Sequence, residues 1–339
     1  MKIQVKKLVD KALESLTDQQ RRVLVLRYGL DGKGKRTLQE IADEYSLTRE
    51  RIRQVQNTAI AALGKDECAG LLASTITHLE DALRKCGGAT SADILCASCE
   101  FATKAEQNYI HLLLMVGNSF SLSRATDAVD QYWYVDEQHK RAIDATLDRV
   151  HQDVEGRGEA LLSDEDMRNL FENLGAEHKD HLPTYGDAML LSLKVKRNPL
   201  GEWGLATHPE VALNGLAGYI RLVLRDSGEP LHFNRIADRI TELRGKSCHR
   251  GSCHNELVRR DEFILVGRGL YALDSMGYRP GTIADIIAAG IKERGPMTQK
   301  EIIEYVSRER HVKTQSIVLT LGKKGMFTRD DRSRYCLAM

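Results

Sequence analysis

Proline is scarce in this chain, 6 in 339 residues, and aromatic residues are few, with 6 Phe, 2 Trp and 11 Tyr. A chain so seldom interrupted, with few large rings to pack, is expected to be rich in helix and modest in its cores. Long apolar runs are missing too. The longest, Leu112 to Val116, falls far short of the ~20 residues that span a bilayer, so no membrane partner is expected. No apolar stretch follows Lys2, Lys6 and Lys7, so the N-terminus does not read as a secretory signal. The 7 cysteines are odd in number and come without an export signal, which points to reduced thiols in a cytoplasmic protein. Walker A, nucleophile-elbow and HExxH patterns are absent. Neither catalysis, a cofactor nor a small-molecule substrate is therefore expected.

What is present is ordinary in bulk: 42% hydrophobic and 29% charged residues, a foldable composition. The length allows two to four domains or several smaller modules. Net charge is +1, yet its distribution is uneven. Residues 1–65 carry 14 Lys and Arg against 8 Asp and Glu, residues 66–208 carry 13 against 24, and residues 209–339 carry 22 against 16. Basic segments favour a phosphate backbone and acidic ones are repelled by it. The two ends, rather than the middle, are the candidates for nucleic-acid contact.

Val5, Leu8, Val9, Ala12, Leu13 and Leu16 recur at helical spacing and predict a first helix. Thr17 with Gln20 reads as a capping box for a second helix over Asp18 to Tyr28, stopped by Gly29. A basic loop, Asp31 to Arg36, leads to a second capping box, Thr37 with Glu40, and a short helix to Tyr45. After a turn at Ser46-Leu47, Thr48 caps a longer helix that reaches Leu63. At about 100° per residue, Ile52, Val55, Ala59 and Leu63 fall on one side of it. Glu50, Arg53, Gln54 and Asn57 fall opposite, with Arg49 on the flank. Short helix, tight turn, longer helix with an Arg/Gln/Glu face is the helix-turn-helix pattern, whose second helix enters the major groove. An ordinary trihelical bundle with a charged solvent face would show the same spacing.

From Leu16 to Leu63 the sequence resembles region 4 of the sigma-70 family, with LRYGLDG, TLQEIA and LTRERIRQV at the family's spacing. The resemblance implies a domain that reads the −35 promoter element of double-stranded DNA and docks on the flap of the bacterial RNA polymerase core. It implies base reading by Arg49, Glu50, Arg53 and Gln54. It also implies backbone contact by Lys35, Arg36, Thr37, Leu38, Thr48, Arg51 and Asn57. The sigma regions that grip the core and melt the −10 element would have to precede this segment, so something other than a complete sigma factor is expected.

The remainder contains a repeat. Trp203, Tyr271 and Tyr335 each stand two residues before a leucine, 68 and 64 residues apart, and Trp133 lies 70 residues before the first. Upstream of each runs the same order of signals: helix, break, capped helix, third helix, strand pair. This is the winged-helix pattern. The third copy, with GEPLHFNRIADRI and LVRRDEFILVGRGLYAL, resembles the HARE-type helix-turn-helix family, which implies DNA binding or bridging. The expected fold is mainly α, with a helix-turn-helix bundle at 1–65 followed by tandem winged-helix units with short β-hairpins. These units are expected at 69–136 (a degenerate copy, with its hairpin from Phe120), 140–208 (with its hairpin turning at Lys196 to Pro199), 209–276 (HARE-type) and 279–339. The two acidic units suit spacing or protein docking better than DNA.

Cys96 and Cys99, with Cys86 and Cys68 nearby, form a single CxxC on an apolar helix, and structural zinc usually needs two such pairs. Buried thiols are expected there. Cys248, His249, Cys253 and His254 have richer ligand chemistry, but no metal site is expected. Gly267-Arg268-Gly269 reads as a hairpin turn, and Asp164 to Asp166 as an acidic first turn favoured by the helix dipole. The expected function is a non-enzymatic, sequence-specific DNA-binding transcription regulator associated with bacterial RNA polymerase. Two other readings stay open: a polymerase-docking adaptor without promoter choice of its own, and a DNA-targeting subunit of a restriction or defence system.

Overall fold

The computed structural model describes residues 4–99, 106–323 and 325–338. The protein divides into two compact units, one of Met1–Lys196 with Trp203–Ala206, the other of Arg197–Glu202 with Thr207–Met339. It is mainly helical, with short antiparallel hairpins.

The first unit opens with helices α1 (Val5–Leu13), α2 (Asp18–Tyr28), α3 (Leu38–Tyr45), α4 (Arg49–Leu63) and α5 (Asp66–Lys85). Helix α1 stops at Leu13, so Leu16 extends the apolar stripe from outside the helix and is buried there. Thr17 and Thr37 each complete a capping box, with Gln20 and Glu40. Helix α2 stops at Gly29, whose φ of +64° suits glycine. A Cβ there would also lie 2.7 Å from the Gly34 carbonyl carbon, so the 31–36 loop folds directly over it. Helices α3 and α4 form the helix-turn-helix. Val23, Leu26, Ile41, Ala42, Ile52 and Val55 make one buried cluster beneath them.

Next come β1 (Ala89–Thr90), α6 (Ala92–Ser98), α7 (Gln107–Val116), β2 (Ser121–Ser123) and β3 (Tyr132–Tyr134). The opposite side of the helix-turn-helix does not close on itself. Leu13, Leu24, Ala59 and Leu63 share a second cluster with Ile110, Leu112 and Leu113 of α7 and with Leu72 and Leu79 of α5. Asn108 Nδ2 and Tyr109 Oη donate to the Gly29 and Leu30 carbonyls, both at 3.1 Å. The boundary expected at residue 65 is thus no gap in packing: apolar side chains on that face of α2 and α4 are covered by the segment that follows.

The first unit ends with α8 (Glu137–Gly156), α9 (Asp164–Leu174), α10 (Tyr185–Leu191), β4 (Val195–Arg197) and β5 (Trp203–Leu205). Strand alternation explains how its two halves join. Trp133 packs into the cluster of α5 and α7, while Tyr132 and Tyr134 on either side pack with Ile143, Leu147 and Trp203. The β4–β5 turn lies later than expected: Lys196 and Arg197 are in the strand. Asn198 makes the turn by accepting the N–H groups of Leu200 and Glu202, each at 3.0 Å.

The second unit comprises α11 (Gly215–Ser227), β6 (Leu231–His232), α12 (Phe233–Arg244), α13 (Arg250–Arg259), β7 (Phe263–Gly267) and β8 (Leu270–Leu273). It continues with α14 (Ile283–Arg294), α15 (Gln299–Glu309), α16 (Thr314–Leu321), β9 (Phe327–Arg329) and β10 (Tyr335–Leu337). Helix α16 ends at Gly322. The repeat has a structural meaning. Thr90 pairs with Trp133, Leu162 with Trp203, Leu231 with Tyr271 and Met297 with Tyr335. In every copy the segment between the first two helices pairs with the aromatic strand of the hairpin, which closes each winged helix.

Candidate nucleic-acid interface

Thr48 Oγ1 accepts the Arg51 N–H at 3.2 Å and starts α4 at Arg49. Burial of Ile52, Val55, Ala59 and Leu63 turns the other side of the helix out. Arg49, Glu50, Arg51, Arg53, Gln54 and Asn57 are all exposed there. Arg53 meets Glu50 in a bidentate pair, Nε to Oε2 at 2.8 Å and Nη2 to Oε1 at 2.7 Å. The hydrogen bond to Arg53 holds the Glu50 carboxyl below its ordinary range, and Glu50 in turn raises Arg53. More than half of each side chain is exposed, 54% and 57%, so water screens the pair and a competing acceptor can open it. Arg51 Nη1 donates to Gln54 Oε1 at 3.3 Å. Among the described residues the Arg49 side chain makes neither a hydrogen bond nor an ion pair.

A cleft of about 410 Å³ joins the N-terminal ends of α3 and α4 and is lined by Arg27, Thr37, Leu38, Gln39 and Arg49. Helix N-termini carry partial positive charge, which suits an anion. The Leu38 side chain packs on the cluster beneath the helix-turn-helix. Arg36 is tied to Glu44 at 2.5 Å, and its carbonyl accepts from Arg27 Nη1 at 2.8 Å. Lys35 is exposed but lines a different cavity, with Asp93 and His111. Arg27 and Gln39 were missed by sequence reasoning. The signal for both was position, a cation in the last turn of α2 and an amide in the first turn of α3.

The cysteines go elsewhere. Cys96 and Cys99 are buried, and burial pushes their thiols up to about 11 and about 12. Cys253 is buried in the core of the third repeat and pushed up to about 12 by the same cause. His254 packs against Phe233 and Tyr271. Among the described residues, no group of three or more His, Cys, Asp or Glu side chains is placed to hold a metal ion. No helix among them is long and apolar enough to cross a membrane.

These features define a helix-turn-helix module with an exposed Arg/Glu/Gln face on its second helix. Residues 12–65 match the family described as Sigma-70, region 4. The chain is 47% identical over 55 residues to an RNA polymerase sigma factor SigA of Nostoc sp., which covers 16% of this chain and 14% of that protein. It is also 47% identical over 53 residues to a SigA of Clostridium acetobutylicum, again 16% and 14%. The chain thus spans about 14% of the length of these curated relatives, and its other residues lie outside the match.

Proposed function

We propose that this protein is a non-enzymatic transcription regulator that reads a promoter-like duplex through α4 and associates with RNA polymerase. The observation that carries the reading is the outward face of α4. Arg49, Glu50, Arg53 and Gln54 stand exposed on a helix whose opposite side is buried, inside a segment matching sigma region 4. Arg pairs with guanine O6/N7, Gln with adenine, and Glu accepts from cytosine N4. Thr37, Leu38, Thr48, Arg51 and Asn57, joined by Arg36, Arg27 and Gln39, would hold phosphates and set the helix in the groove. The winged-helix units at 209–276, which is HARE-like, and 279–339 supply further basic surface.

Selection of duplexes from a random pool by the full chain tests this directly. Enrichment of one short motif supports it; recovery of duplexes without a shared motif refutes promoter reading. One observation favours a second reading. Arg53 is held by Glu50, and a protein that kept this pair closed would dock on polymerase without choosing a promoter. Co-purification with core polymerase but no enriched motif is the result expected of such an adaptor.

A further inference from the structure

A cavity of about 480 Å³ opens in the first unit between α2, α4, α6, α7 and the β2–β3 hairpin. Its volume lies in the range of small-molecule sites. Three observations single it out. The Gln56 side-chain oxygen, on α4, is buried there without a hydrogen-bond partner. Met115 and Leu122 leave 38% and 36% of their surface exposed against it, beside Trp133. Lys35 stands at the same wall and makes no ion pair among the described residues. A buried amide oxygen needs an N–H donor, apolar walls need a body to cover them, and an unpaired ammonium attracts an anion.

We propose that this cavity binds a free mononucleotide, with its base on the Met115–Leu122–Trp133 wall, its base N–H on Gln56 Oε1 and its phosphate on Lys35. Asp93 accepts hydrogen bonds and suits the sugar hydroxyls. A hydrocarbon would leave Gln56 unpaired, and inorganic phosphate would leave the apolar wall bare. His111 adds a reporter: burial and then Lys35 hold its ring below the ordinary value, and a phosphate at Lys35 offsets the second cause and raises it.

Calorimetric titration of the full chain with adenosine and guanosine monophosphates tests the site, with adenosine, inorganic phosphate and a single-stranded hexanucleotide as separate arms. Saturable one-site binding of a mononucleotide is expected, weakened about tenfold by Lys35→Ala and by Gln56→Met. The His111 ring should titrate higher in the bound state. Lys35 is exposed and Gln56→Met keeps helix and volume, so matched thermal melts will show that both variants fold. Absence of saturable heat with either nucleotide overturns the proposal. So does unchanged affinity in both variants, or equal affinity for phosphate, adenosine or the hexanucleotide. The site shares α4 with the proposed DNA face, but the titration contains no DNA, so failure of one reading leaves the other standing.

Discussion

Ile110 is fully buried, lies well beyond the helix-turn-helix in sequence, and packs in the cluster that holds Leu24 and Leu63. Truncating a buried Ile to Ala removes its transfer energy and leaves a cavity, at a cost of about 2–5 kcal/mol. A domain's whole stability is about 5–15 kcal/mol, so Ile110→Ala removes a large share of it. Because α7 packs against both α2 and α4, the loss should reach α4. Urea unfolding followed by circular dichroism should show a lower midpoint, and amide exchange should speed up in α2 and α4 as well as in α7. If α7 loosens while Leu24 and Leu63 keep their protection, the helix-turn-helix has a core of its own and the shared-core argument is wrong.

Three further outcomes are expected. Arg53→Ala should weaken binding roughly tenfold to a hundredfold at one base pair and relax choice there; anisotropy titrations against single-base variants check this, and an equal loss on every duplex would reject base reading by Arg53. Gly29→Ala puts a Cβ where φ is +64° and Gly34 is 2.7 Å away, so it should cost about 1–3 kcal/mol in a denaturant melt; unchanged stability would mean that the loop moves aside freely. Burial holds His111 and His151 below their ordinary value of 6.5, with Lys35 and Lys194 adding to it and Asp93, Asp148 and Glu155 opposing it. The unfolded chain therefore binds protons first, and stability should fall as pH drops below about 6.5, by at most about 1.4 kcal/mol per pH unit for each ring. Melts between pH 7 and pH 5 that stay level, or rise on acidification, would contradict this.

Much of the fold is legible in the sequence where local chemistry decides it. Thr17, Thr37 and Thr48 cap helices because a hydroxyl three residues ahead of a free N–H satisfies it wherever the helix later packs. The repeated aromatics are legible for a related reason: Trp133, Trp203, Tyr271 and Tyr335 each fill one place in one small sheet. What the pattern leaves out is the partner. The stripe of α7 specifies an apolar face, but periodicity carries no information on which other face it meets, so the shared cluster with Leu24 and Leu63 emerges only from the structure.

The same distinction governs the site. A helical wheel places Glu50, Arg53 and Gln54 opposite Ile52 and Val55, because burial of one side forces exposure of the other. It does not show that Arg53 is already engaged by Glu50, or that Lys35 lines a cavity away from the cleft at Arg49. Side chains with four or five torsions choose partners only after the backbone is placed. The third helices of the repeats make the point more sharply. Helix α10 exposes Leu190, α13 exposes Arg250, Ser252, Asn255, Val258 and Arg259, and α16 exposes Thr314, Gln315, Val318 and Leu319, three different mixtures of side chains. The recurring aromatics constrain cores and hairpins, which every copy needs in order to fold. They leave the outward face of the third helix unconstrained, so each face has to be read from its own side chains.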